Sequence, residues 1–247
     1  MKKLSLSEIA EEEKKQQTQQ EAIAAQKKER FVKLTFLIAT EGTETEPNYF
    51  NALKSELEHS NRFNIDIAVQ GKGKSTTALV NKIIRQIKYN NQEYDRLWAV
   101  FDKDDFNDFD AAIKLASENG ISCAWSNESF ELWLLLHFQD ATEAVGRKAC
   151  FNQLEKAIRE ALHKNDPNAL YDHTKGAPDI YAHTKNLGNE EQAFERAALL
   201  KKKFLNCEKQ CSEQNPCTHV DELVYELRHP EKVPLPDYNH QNSSLTA

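Results

Sequence analysis

No apolar run in the sequence approaches the ~18 residues needed for a membrane span, which excludes a spanning helix of ordinary composition. The N-terminus, Met1-Lys2-Lys3-Leu4-Ser5, lacks the apolar core of a signal peptide, so export is not expected. Cysteine is scarce and odd in number, five in all, which fits free thiols in a reducing interior better than a disulfide framework. A cytoplasmic location is the expectation from these absences. Basic charge is in deficit as well: 32 Lys and Arg stand against 39 Asp and Glu, a net charge of -7. That balance argues against a constitutive, sequence-independent grip on nucleic acid, which needs a basic footprint. It leaves a nucleic-acid enzyme open, because a divalent cation offsets acidic charge locally. Small basic clusters such as Lys72 with Lys74, or Lys201-Lys202-Lys203, suit a few phosphates, though solvated surface is their plainer reading.

What is present suffices for a full core: 247 residues imply one or two domains, and no internal repeat is evident. Residues 1–30 are dominated by Glu, Lys, Gln and Ala with sparse apolar positions, which predicts a charged arm, mobile or helical. From Phe31 the pattern changes. Lys33–Ala39 is a short β-rich apolar run of the kind buried on both faces of a parallel sheet. Thr40–Pro47 then closes into a helix, with Thr45 suited to its N-cap and Pro47 to its first turn. Phe63–Val69 reads as a second strand, Arg96–Phe101 as a third and Ile121–Trp125 as a fourth. Helices are predicted between them, one carrying Leu79, Val80, Ile83, Ile84 and Ile87 on one face, another through Ala111–Glu118 ending at Asn119-Gly120. Asp105 and Asp108 fit as caps of the latter helix. Ser129–Phe138 reads as a strongly apolar helix. The alternation implies an α/β fold with a mostly parallel sheet flanked by helices over residues 31–139. A helical extension follows over 140–228, and an extended tail over 229–247.

Ligands of open α/β sheets bind beyond the carboxyl ends of the strands. Glu41 directly follows the first predicted strand, and Asp102 and Asp104 follow the third. If those strands are neighbours, the three carboxylates share one sheet edge. Grouping them without a cation is costly, since like charges raise one another's pKa. Hard oxygen ligands of this kind suit Mg2+, or Mn2+ in its place. Gly42 permits a tight turn after Glu41. Glu131, polar within an apolar helix, either joins the acidic cluster or makes a structural hydrogen bond. His137, almost two turns on, is read as structural. Gly71-Lys72-Gly73-Lys74-Ser75 approaches a phosphate loop, but the first glycine of that pattern is replaced by Ala68. Contact of Lys72 or Lys74 with a phosphate is the better reading. Cys207-x3-Cys211-x5-Cys217-x-His219 matches no common zinc spacing, and Cys207 and Cys211 are expected on one helix face.

Glu41-Gly42 after one strand and Asp102-x-Asp104 after a later one resemble the Toprim signature of primases, topoisomerases and some nucleases. More specifically, four segments resemble the RloB-like (AbiLii-like) family: Glu41–Phe50, Gly71–Ser75, Val100–Phe106, and Ser126-Asn127 with Phe130–Phe138. Asn215-Pro216-x-Thr218-x-Val220 is similar to its C-terminal motif. The resemblance runs over roughly residues 31–228 and implies a Toprim-related effector of restriction-linked and abortive-infection loci, encoded beside an AAA/ABC-type ATPase. It implies a Mg2+-dependent nuclease acting on RNA (tRNA included) or DNA, with Asp102 and Asp104 holding the metal and Glu41 as general acid/base. Lys175 becomes a candidate for the scissile phosphate on the same footing. Glu128 stands where the family pattern leads one to expect proline. The alternative is a non-catalytic adaptor of an ATPase-containing defence complex, binding nucleic acid or a nucleotide through its acidic metal site. No membrane partner is expected, and a homo-oligomer is left open.

Overall fold

The computed structural model describes residues 34–58, 64–69, 76–89, 93–144 and 146–233. The arm predicted at 1–30 and most of the tail, with Lys72 and Lys74, lie outside the described residues.

All four expected strands form: β1 (Thr35–Thr40), β2 (Asn64–Val69), β3 (Arg96–Asp102) and β4 (Ser122–Asn127). They pair in parallel in the order β2-β1-β3-β4. The α/β class read from the sequence is therefore the class observed. A fifth strand, β5 (Cys217–Thr218), had no sequence signal; it pairs antiparallel with β4 through two residues. Ser126 and Thr218 share a hydroxyl hydrogen bond of 2.8 Å across that pair.

Strand alternation divides the interior into two layers. Phe36, Ile38, Trp98, Val100 and Ala124 face one core, and Leu37, Ala39, Leu97, Ala99, Phe101 and Trp125 the other. Helices α2 (Thr76–Tyr89) and α3 (Phe109–Glu118) cover the second core with Leu79, Val80, Ile83, Phe109, Ala112 and Ala116. The first core is larger. It is covered by α1 (Thr45–Glu58), α4 (Glu131–Leu136), α5 (Arg147–His163), α6 (Ile180–Leu187), α7 (Glu190–Lys202) and α8 (Val220–Arg228). α4 is buried on all sides, as its sequence Glu-Leu-Trp-Leu-Leu-Leu requires. Each of its leucines contributes about 1.5–3 kcal/mol of apolar burial. The helices after residue 140 thus share one core with the sheet. Among the described residues, no helix is long and apolar enough to cross a membrane.

Several local expectations need correction. Thr45 lies inside α1 rather than capping it; its hydroxyl accepts the Gly176 N–H. Asp108 flanks α3 without capping it, and its carboxylate instead accepts the Thr77 N–H in the first turn of α2. Two helix starts on the same face of the sheet are thereby tied together. Cys207 and Cys211 share no helix, because α7 ends at Lys202 and Cys211 opens a short 3-10 turn. His137 is buried against the Trp133 carbonyl, and burial lowers its pKa to about 4, in keeping with a structural role. The first residues of the expected tail, Pro230–Lys232, form a 3-10 turn.

An ion-pair network ties α1 to the later helices. Glu56 of α1 meets Arg228 of α8 at 2.7 Å and Lys185 of α6 at 2.8 Å, and accepts from the Tyr181 hydroxyl. Arg228 also holds Glu190 of α7 at 2.9 Å. Partial burial pushes the Glu56 carboxyl up, but bonds from Lys185, Tyr181 and Arg228 outweigh it and hold the pKa down at about 2. A depressed carboxyl stabilises the fold above its unfolded value of 4.5, and that contribution is lost as pH falls toward 2. The side chain is 30 % exposed, so solvent screening reduces the effect. Glu56→Gln is expected to cost ~1 kcal/mol at pH 7. Urea melts should show the difference from wild type vanishing between pH 4.5 and pH 2; a constant offset would contradict the assignment.

Candidate metal centre at the carboxyl edge of the sheet

The strand order places a topological switch between β1 and β3. From β1 the chain moves outward to β2, then returns across β1 to β3 and continues to β4. The crevice beyond the carboxyl ends of β1 and β3 is where open α/β sheets bind ligands, because the flanking connections leave in opposite directions there. Glu41 and Asp102 stand on either side of it. The Glu41 N–H is held by the Val100 carbonyl at 2.9 Å, and the Lys103 N–H by that of Ser126 at 2.8 Å, so both turns are extensions of the sheet ladder. Buried Thr40 closes the first turn with a 2.9 Å hydrogen bond to the Gly42 carbonyl.

A cavity of about 280 Å³ opens at this point, lined among others by Glu41, Glu46, Asp102, Asp104, Glu131, Arg147 and Lys175. All four acids expected at a metal, Glu41, Asp102, Asp104 and Glu131, thus face one space, as does Lys175. Five carboxylates crowd two cationic side chains, and their protonation reflects it. Burial, then the charges of Asp104 and Asp108, raise Glu41 from 4.5 to about 7. Burial, then Glu46 and Glu131, hold Asp102 well above the usual carboxylate range, against the pull of Arg147. Both carboxylate oxygens of Glu41 are buried without a hydrogen-bond partner. An unpaired buried acceptor is costly, so these two oxygens are poised for a donor or a cation.

Glu46 was not singled out by the sequence reading. It is buried in the first turn of α1, and burial raises its pKa. Gly42 accounts for its seat: a Cβ at residue 42 would lie 2.1 Å from Glu46 Oε2. The glycine after Glu41 therefore makes room for a second carboxylate. Arg147, the first residue of α5, was also missed. Its guanidinium lies 3.5 Å from Asp102 and pairs with Asp104. Lys175 is carried by a loop docked on α1, where Asn48 Nδ2 donates to the Gly176 carbonyl at 2.8 Å. Gly176 has φ +75° and lies so close to Glu44 that a Cβ would come within 2.6 Å of it, so only glycine fits that turn.

The donor set fits a hard divalent cation: carboxylate oxygens at the end of adjacent strands, with two oxygens lacking any partner. Among the described residues, however, no three acidic, histidine or cysteine side chains already converge as a ligand set. Asp102 and Asp104 turn instead to Arg147. The cysteines near the C-terminus form no alternative centre; Cys207 is exposed and Cys217 is buried in β5.

No curated protein and no solved structure matches the chain. The sequence profile described as RloB-like protein matches residues 36–227, a span holding every described residue of the cavity from Glu41 to Lys175. The chain belongs to the RloB-like family.

Proposed function

We propose that the chain is a Mg2+- or Mn2+-dependent nuclease, hydrolysing phosphodiester bonds of RNA or DNA as the effector of an antiphage, abortive-infection system. The observation that carries this reading is the Glu41 carboxylate, its oxygens buried and unpartnered, in the same cavity as Asp102 and Asp104 at the switch point of the sheet. Asp102 and Asp104 would hold the cation, with Glu41 and Glu131 completing the oxygen set. Bound there, it would supply Lewis-acid stabilisation to the phosphoryl oxygens. Glu41, with its pKa raised to about 7, is matched to accept a proton from the attacking water near neutral pH. Lys175 supplies a positive charge in the same cavity for a phosphate. Phe106, 41 % exposed at the cavity, offers a flat face on which a base can stack. The defence setting rests on the family membership and on the restriction-linked and abortive-infection loci that the family resemblance implies.

The test is incubation of the purified chain with RNA and with DNA in Mg2+ or Mn2+, alone and with the ATPase that the resemblance implies. Cleavage of one substrate is expected, lost in chelator and in Asp102→Asn. The same variant should bind Mn2+ more weakly than wild type by calorimetry. Both substrates intact under every condition, or full activity in Asp102→Asn, would overturn the assignment.

A further inference from the structure

Two of the acids at the switch point, Asp102 and Asp104, meet one guanidinium. Arg147 Nη1 lies 3.5 Å from Asp102 and Nη2 pairs with Asp104, so one planar fork bridges both residues of the Asp-x-Asp motif. The fork has a fixed base. Its Nη2 also donates to the Glu128 carbonyl at 3.0 Å, and the Arg147 N–H donates to Glu128 Oε2 at 3.0 Å. The turn after β4 and the start of α5 are thus clamped together at the cavity mouth. Glu128 is the residue that makes this clamp.

Helix electrostatics alone would not put a cation here. The first turn of α5 carries Arg147 and Lys148 and no acid, although a helix N-terminus favours negative charge. The cost is offset by the carboxylates across the cavity. Arg147 is also unlike a core arginine: its side chain is 42 % exposed, whereas Asp102 is only 14 % exposed. It is the more exposed partner of that pair and lines the same cavity as the acid it meets. The two carboxylates it holds are those that a hard cation would need, and the guanidinium geometry that fits two carboxylates equally fits two phosphate oxygens.

We propose that Arg147 is a displaceable internal cation: it holds Asp102 and Asp104 until a divalent ion takes them, and the released guanidinium then binds a substrate phosphate opposite Lys175. This rests on the metal-dependent reading above and adds to it an exchange that couples ion entry to substrate binding. Without the ion, Arg147 partly offsets the charge of the acidic pair and is itself engaged by it. With the ion, the pair is satisfied and the arginine, still tethered through its backbone to Glu128, is free at the mouth.

Mn2+ titration by calorimetry, thermal melts in chelator and in Mn2+, and cleavage assays on wild type, Arg147→Gln and Arg147→Lys test the exchange. Arg147→Gln should bind Mn2+ about tenfold more tightly than wild type, the equivalent of removing one charge-assisted contact that competes for the carboxylates. It should melt lower than wild type in chelator, recover in Mn2+, and cleave poorly with a raised KM. Arg147→Lys keeps a competing charge and should bind Mn2+ like wild type, yet not restore cleavage, because an ammonium lacks the fork. A purely structural role would lower the melting temperature alike with and without Mn2+ and leave Mn2+ affinity unchanged. Equal Mn2+ affinity in wild type and Arg147→Gln would therefore overturn the exchange while leaving the metal site standing. Mn2+ bound by neither would overturn the metal site itself, and the exchange with it. Undiminished cleavage by Arg147→Gln would overturn the phosphate role.

Discussion

Glutamine in place of Glu41 is expected to lower phosphodiester cleavage by about 10²–10⁴-fold, the usual contribution of a positioned general base. Mn2+ affinity should fall far less, because in the proposed reading Asp102 and Asp104 are the principal ligands of the cation. The separation follows from the site. Asp102 and Asp104 are paired with Arg147, whereas Glu41 has two buried oxygens with no partner and a pKa raised to about 7. As a base it must be ionised, so wild-type kcat/KM should rise toward neutral pH, and this limb should be absent in Glu41→Gln. A bound cation favours the carboxylate and would move the limb to lower pH. The same group affects stability with a definite sign. Its folded pKa lies above the unfolded value of 4.5, so the fold binds the proton more tightly than the unfolded chain does. That contribution is fully present below pH 4.5 and is lost as pH rises through about 7. In chelator, Glu41→Gln should therefore melt above wild type at pH 8, with the advantage shrinking toward pH 5. A variant that melts lower at pH 8, or that cleaves as well as wild type, contradicts this role for Glu41.

The largest stability effect is expected at the opposite end of β3. Arg96 and Glu226 form an ion pair whose side chains are 3 % and 5 % exposed. Glu226 also accepts the Trp98 indole N–H at 2.8 Å, and Arg96 Nη2 donates to the Val233 carbonyl at 2.9 Å. Both carboxylate oxygens are in use, which is the condition under which a buried pair can be sustained. Glu226→Ala leaves a buried guanidinium and an indole N–H unpaired, and should destabilise the fold by ~3–5 kcal/mol. For a chain of this size that is a drop of about 10 °C in Tm. Glu226→Gln keeps an acceptor for Trp98 and should lose less. Asp102 lies six residues further along the strand, ~20 Å away, so cleavage by the folded fraction should be unaffected. An alanine variant within 1 °C of wild type would refute the pairing.

The parts of this molecule that were legible in the sequence are those fixed by local pattern. β1, β3 and β4 are apolar runs because both faces of the sheet are covered, and the acids end those runs because the site lies at the strand tips. What escaped is what tertiary contact creates. β5 has two residues and gains its identity only from pairing with Ser126 and Asn127. Asp108 looked like a cap for the helix it precedes, yet its carboxylate serves a helix more than thirty residues earlier. Arg147 stands at a helix start where a cation is locally unfavourable; that mismatch was the one signal of its engagement with Asp102 and Asp104. Glu46 lay within the same acidic stretch as Glu41, but its burial depends on the space left at Gly42, which one-dimensional spacing does not reveal.

The shared core beneath the sheet also bears on how the protein is made. Leu223, Val224 and Leu227 of α8 belong to the same apolar cluster as Phe36 and Ile38 of β1. At ~5–20 residues per second of synthesis, the stretch between the end of α4 and α8 takes on the order of 5–20 s to emerge from the ribosome. For that interval the face already covered by α1 and α4 is without the full set of later helices, α5–α8, that complete its core. The cavity is unfinished for much of the same interval, because Arg147 and Lys175 are translated well after Asp104. A nascent chain therefore carries the acids of the cavity before it carries Arg147 and Lys175.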